Sequence, residues 1–169
     1  MKNFIQLFFK PLALLATAVS LQALAAGNHA GDHGHGHNSQ TIGEAGKASN
    51  ITRTIEVEML DTMRFVPASF NAKQGETIRF VVKNSGKLKH EFVLGTKKDL
   101  DEHYEAMKKF PEMEHAEDNM LSVAPGQTGE MLWKFSKSGV VHVGCLHPGH
   151  YDAGMKGEIK VAAKKTVAK

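Results

Sequence analysis

Cys145, His150 and Met155 stand at Cys-x4-His-x4-Met spacing within Cys145-Leu146-His147-Pro148-Gly149-His150-Tyr151-Asp152-Ala153-Gly154-Met155. One short connecting segment therefore carries a thiol, an imidazole and a thioether. A type 1 copper centre asks for one Cys sulfur and two His nitrogens in a trigonal set, with a weak axial sulfur. The second imidazole must come from elsewhere in the chain. His90 opens an apolar run just after the turn signal Asn84-Ser85-Gly86, which makes it a good candidate. His147, two residues from the thiol, is a rival to His150. The longer spacing, with Pro148-Gly149 in front and Met155 behind, favours His150. Taken singly, these are a small buried hydrophobe, a surface imidazole and a core methionine, but such readings leave their joint spacing unexplained. A nucleophilic Cys–His pair gives Met155 no role, so the chain is expected not to be an enzyme.

The wider composition points the same way. The 169 residues include ten His and eight Met but a single Cys. That excludes an intrachain disulfide framework and any multi-thiolate zinc or iron–sulfur site. Most of the remaining donors fall in two groups. His29, His33, His35 and His37 lie in a Gly-rich stretch where neighbouring imidazoles are free to converge on an ion. His103, Met107, Met113, His115 and Met120 cluster further along, His103 and Met107 four apart on one helical face. Together with His147 these are candidates for accessory, labile copper binding, although a Met stripe at helical spacing is more often core.

The elements that must position these side chains follow from patterning. Residues 1–25 read as a secretory signal peptide: Lys2 and Lys10 precede the apolar stretch Leu12 to Leu24, and Ala23-Leu24-Ala25 forms a small-x-small cleavage site. The uninterrupted apolar run falls short of the roughly 20 residues that span a bilayer. Cleavage and a periplasmic location are expected. Removing Lys2 and Lys10 from the 21 Lys and Arg leaves 19 against 18 Asp and Glu, and no basic stripe points to nucleic acid. Residues 26–50 are Gly-, His-, Ser- and Asn-rich and read as a flexible tail. The remaining domain is expected to span 51–169.

Within it, Thr54 to Leu60 alternates Ile55, Val57 and Met59 with Glu56 and Glu58, a half-buried strand. Further strands are expected over Thr77 to Lys83, His90 to Leu94, Met120 to Val123, Thr128 to Phe135, Val140 to Val143 and Gly157 to Ala162, with Gly and Pro turns between them. From Asp99 to Phe110 the period changes to three and four. Asp99 as N-cap and Glu102 three residues on predict a helix stopped by Pro111, inside an insertion of about 97–119. Short strands with one helical insertion imply an all-β antiparallel sandwich. Leu146, Tyr151 and Ala153 are expected to rim a partly exposed His150 edge.

Asn84 … His90-Glu91-Phe92-Val93-Leu94-Gly95 and Cys145 … Pro148-Gly149-His150 … Gly154-Met155 … Gly157 … Ile159 … Val161 resemble the cupredoxins, as does Phe65 … Pro67 … Gly75-Glu76-Thr77. The likeness runs from about Ile51 to Ala162. It implies a Greek-key sandwich, with His90, Cys145 and His150 as strong copper ligands and Met155 as the weak axial one. The His-rich tail, the His-Glu-Phe-Val-Leu-Gly stretch and the His/Met insertion resemble, more narrowly, the exported bacterial cupredoxins linked to copper tolerance, the CopI-like group. Against the family pattern, His147 stands where an apolar residue is usual and His142 where an aromatic is common. The resemblance implies copper handling in the periplasm through a redox-active centre, with copper ions and periplasmic redox or copper-handling proteins as partners. The alternatives are a diffusible one-electron carrier and, further off, a copper(I) oxidase.

Overall fold

The computed structural model describes residues 42–165 except 112, 114 and 115. Alternation of apolar and polar residues along most segments produces ten strands. They are β1 (Glu44–Ala45), β2 (Ile51–Leu60), β3 (Arg64–Val66), β4 (Ser69–Lys73), β5 (Thr77–Asn84), β6 (His90–Gly95), β7 (Met120–Val123), β8 (Thr128–Lys134), β9 (Gly139–Gly144) and β10 (Lys156–Ala162). One helix, α1 (Lys97–Lys109), leaves the end of β6. The strands form two five-stranded sheets, ordered β1-β8-β5-β2-β3 and β4-β10-β9-β6-β7. Their inner faces enclose a core in which Met59, Ile78, Phe80, Phe92, Trp133, Phe135 and Ile159 are almost entirely buried. Phe80 and Phe92 from opposite sheets approach to 5.3 Å between ring centroids, inside the range of favourable aromatic pairs.

The sandwich is mixed rather than purely antiparallel. β2 runs parallel to β5, and β4 runs parallel to β10. After β2 the chain folds back as β3, crosses to the second sheet as β4, and returns beside β2 as β5. A parallel neighbour needs such a crossover connection, which strand patterning alone does not reveal. The fold also begins upstream of Ile51. Ile42 is buried, and Glu44–Ala45 pair with Trp133 and Lys134 of β8, so an apolar side chain and two ladder pairs draw this part of the expected tail into the first sheet.

β6 carries no alternation at all, since each of its six residues is buried. Phe92 and Leu94 face the main core, whereas Val93 faces a second cluster with Leu100, Tyr104 and Met107 of α1 and with Leu146 and Tyr151. Thus α1 roofs the outer face of β6. Its N-cap is Thr96 rather than Asp99: the Thr96 hydroxyl accepts from the Asp99 N–H, and the Asp99 carboxylate accepts from the Thr96 N–H. The reciprocal capping box starts the helix earlier than Asp99 alone would predict. α1 ends at Lys109, ahead of Phe110 and Pro111.

Candidate metal centre

Cys145 follows directly on β9, and His90 is the first residue of β6, antiparallel to it. The two strand ends place both side chains at one end of the second sheet. His150 comes from the loop between β9 and β10. That loop is closed at its base by the Cys145 N–H donating to the Met155 carbonyl (3.1 Å) and the Met155 N–H donating to the His150 carbonyl (3.0 Å). Two left-handed residues shape it, Gly149 (φ +87°) and Gly154 (φ +94°), a conformation costly for other L-residues. At Gly154 an added Cβ would also lie 3.0 Å from the Arg64 guanidinium, which donates to the Ala153 carbonyl at 3.0 Å.

The outcome is a compact donor set. One ligand atom each from His90, Cys145 and His150 lie within 4.8 Å of one another. Cys145 Sγ is 3.4 Å from His150 Nδ1 and 3.9 Å from His90 Nδ1. Cys145, His90 and Met155 are each wholly buried, and His150 is half-buried. The thiol also accepts from the Glu91 N–H at 3.3 Å. Burial pushes the Cys145 thiol up to about 12, against the opposing pull of the Glu91 and His147 backbone N–H groups. Without metal the sulfur is therefore a buried, protonated thiol, which keeps a lone cysteine out of intermolecular disulfides.

The imidazoles are set for ligation. Burial lowers the His150 pKa, with His90 and His147 adding to the effect, so near neutral pH its ring is uncharged and its lone pair is free. His90 is oriented from behind: its Nε2 lies 3.1 Å from the Asp61 carboxylate. With Asp61 ionised, Nε2 carries the proton and Nδ1 turns its lone pair toward the thiol. Backbone N–H groups of Lys87 and Leu88 also donate to Asp61, and the Lys87 bond is the main reason its pKa is lowered. The turn before His90 is held by Asn84, which is wholly buried. Its amide donates to the carbonyls of Leu88 (2.8 Å) and Val123 (2.9 Å), and its Oδ1 accepts from the Gly86 N–H (2.9 Å). Asp61 carried no motif in the sequence. Asn84 read as a turn residue and as part of the cupredoxin-like stretch, without a partner assigned to its side chain.

A second support comes from α1. The Tyr104 hydroxyl accepts from the Gly149 N–H (2.9 Å) and donates to the Asp152 carboxylate (2.9 Å), clasping the loop on both sides of His150. Tyr151 donates to Asp101 of the same helix at 3.1 Å. Leu146 and Tyr151 accordingly lie buried beneath α1 instead of forming the expected apolar rim, and only Ala153 of that trio is exposed. The roof over β6 takes their surface away from solvent.

The other sequence candidates divide. His147 does not join the triad; its Nε2 is buried without a hydrogen-bond partner among the described residues, 3.8 Å from a Glu91 carboxylate oxygen. Its pKa is lowered mainly by burial, and then by Lys89 and His90. Met107, Met113, Met120 and His147 line one groove beside His150, whereas the buried His103 does not line it. His142 lies 3.8 Å from the Glu158 carboxylate on the neighbouring strand. His29, His33, His35, His37 and His115 fall outside the described residues, as do the expected signal peptide and most of the tail.

The donor chemistry fits copper: a single thiolate source, two imidazoles and a buried thioether between the preferences of the +1 and +2 states. Comparison with known proteins agrees. Residues 51–162 match the family described as copper binding proteins, plastocyanin/azurin family. A protein of Rubrivivax gelatinosus named copper-resistant cuproprotein CopI is 42% identical over 156 residues, covering 88% of this chain and 94% of that one. A protein of the same name from Pseudomonas aeruginosa is 33% identical over 180 residues, covering 89% and 95%. Among solved structures, auracyanin B superposes with a TM-score of 0.58 at 21% identity, covering 72% of this chain and 96% of its own. The auracyanin of Roseiflexus castenholzii gives 0.57 at 22% identity, covering 66% and 98%. At those identities the two structures speak for the fold.

Proposed function

The chain belongs to the plastocyanin/azurin family of copper binding proteins, and on that premise we propose that it is a periplasmic copper-tolerance protein with one redox-active type 1 centre. The observation that carries the reading is the convergence of His90, Cys145 and His150 at one end of the sandwich, with Met155 buried at the base of the same loop. The copper-resistant cuproproteins, similar along most of their length, support the role in tolerance.

Bound copper would supply a one-electron couple between its +1 and +2 states. The chain supplies the rest. His90 and His150 would hold the metal through Nδ1, Cys145 through its thiolate after loss of the proton, and Met155 as a weak fourth donor. Asp61 fixes the His90 ring, Asn84 fixes the turn that carries it, and Tyr104 fixes the backbone on both sides of His150. Three such restraints let the donor set keep one geometry while the metal charge changes, which lowers the reorganisation that electron exchange requires. The buried thiol and thioether keep the site dry, and the half-buried His150 ring provides a route for an electron to reach a partner.

On this reading the protein acts stoichiometrically on copper ions and is not an enzyme. Absorption and EPR spectra of the copper-loaded protein test the centre. An intense thiolate-to-copper band is expected, lost in Cys145→Ser and His150→Ala but kept in His147→Ala. A colourless protein that holds zinc and refuses copper would overturn it. Copper tolerance unchanged in a strain lacking the chain would overturn the physiological role. The exposed His150 edge also suits a one-electron carrier. Deleting residues 26–50 separates the two: a carrier keeps its electron-transfer rate, while a copper-handling protein loses metal capacity.

A further inference from the structure

Beside the candidate centre lies a groove of about 760 Å³ between the end of α1, the neighbouring strands and the Cys145–Met155 loop. Three of the seven methionines among the described residues line it, from three separate places: Met107 on α1, Met113 beyond its end and Met120 at the start of β7. Glu91, His147 and His150 line it too. Packing accounts for Met107, which is buried against Leu100 and Tyr104. It does not account for Met113, which is 45% exposed. An exposed thioether in an exported protein invites oxidation, and a leucine would fill the same volume without that hazard.

His147 adds an independent observation. Among the described residues its Nε2 atom, shielded from solvent in this groove, makes no hydrogen bond; a Glu91 carboxylate oxygen stands 3.8 Å away, too far for one, and an unsatisfied buried polar atom is costly. Thioethers are soft donors that prefer copper(I), and copper(I) accepts few ligands in irregular arrangements. The unbranched methionine side chain has three rotatable bonds, so donors from separate segments are able to close on one ion. The Glu91 carboxylate on the same wall offsets the charge of a monovalent cation.

We infer that this groove is a second metal site, selective for copper(I), with Met107, Met113 and Met120 as thioether donors and His147 as the available imidazole. The inference takes its ligand from the copper-handling role proposed above, but it concerns different residues. It also assigns purposes to the insertion and to His147 that the type 1 centre does not use.

The test is methionine-methyl NMR on the full-length chain labelled with 13C at the methionine methyls, titrated anaerobically with copper(I), which is diamagnetic. The Met107, Met113 and Met120 signals, assigned by single Met→Leu variants, are expected to shift together as one equivalent is taken up. In Met107→Leu/Met113→Leu/Met120→Leu the protein should hold one copper(I) equivalent fewer against bicinchoninate, while the copper(II) thiolate band of the type 1 centre is retained. Met113→Leu alone alters an exposed side chain and leaves the core intact, and it should weaken that same equivalent. His147→Ala should weaken it as well. If the three signals stay put while Met155 moves, or if the triple variant binds as many equivalents as the wild type, the groove is not a copper site. If the wild-type protein shows no thiolate band, the type 1 reading fails, and the three groove signals still report independently.

Discussion

Asn84→Ala tests whether the turn ahead of His90 is held by one side chain. The amide of Asn84 makes three hydrogen bonds, to the Leu88 carbonyl, the Val123 carbonyl and the Gly86 N–H. Their loss is unequal. The Val123 bond is fully buried, so one lone pair of a carbonyl that water cannot reach is left unpaired, at a cost of about 2 kcal/mol. The other two bonds are only partly buried, so water replaces much of each and about 0.5 kcal/mol apiece is lost. The sum is about 3 kcal/mol, which for a domain of this size lowers the melting temperature of the metal-free protein by about 10 °C. Circular dichroism during heating and urea titration both measure it. Asn84→Asp sharpens the test. A carboxylate keeps the acceptor for Gly86 but turns an oxygen toward two carbonyl oxygens. At neutral pH it should therefore be at least as damaging as Ala. The repulsion also raises the pKa of the introduced acid in the folded state, so its deficit should shrink as pH falls and the carboxyl becomes a donor. In both variants His90 loses its fixed approach, and the copper band should shift or weaken. An Asn84→Ala protein within about 1 kcal/mol of wild type would refute the assignment, because that is less than the loss of these three hydrogen bonds costs.

Asp61→Ala removes the acceptor behind His90 Nε2 and should reduce copper affinity by about tenfold or more in chelator competition, with Asp61→Asn intermediate since it keeps one acceptor. Tyr104→Phe unclasps Gly149 and Asp152 from α1; a destabilisation of about 1–2 kcal/mol is expected in urea titrations, together with faster copper loss to a chelator. Glu130 has its pKa lowered by its hydrogen bond and charge interaction with Arg79 on β5. Its contribution to stability is thus present above 4.5 and fades as pH falls through the lower folded value. Glu130→Gln should flatten that part of the acid limb, and an unchanged pH profile would remove the pair from the account.

The physical reasons behind these predictions separate what is local from what is not. Chain-local information was sufficient for the strands with clean alternation, such as β2 and β8, and for the existence of α1, because a period of two or of three and four is written in consecutive residues. β3 and β4 were not legible: each is short, β3 being only the brief return arm of a hairpin with β2, and β4 being held by β10 from the far end of the domain. The α1 boundary shifted by a few residues because Thr96 and Asp99 cap one another, a reciprocity of which Asp99 alone shows only half.

At the site, residue types and spacing by themselves determined the chemistry on offer: one thiol, flanking imidazoles, a thioether on the same loop and His90 at a strand start. Tertiary structure decided which imidazole meets the sulfur. His147 and His150 differ by three residues, yet the loop closes between Met155 and His150 and brings His150 Nδ1 to 3.4 Å of Sγ, while His147 faces the methionine groove. Tertiary structure likewise brought Asp61 behind His90 and Tyr104 against Gly149, pairs separated by 29 and 45 positions. Donor identity is a property of single side chains and survives in a linear string. Orientation, burial and the raised Cys145 pKa are properties of neighbours, and neighbours exist only once the two sheets and α1 have packed.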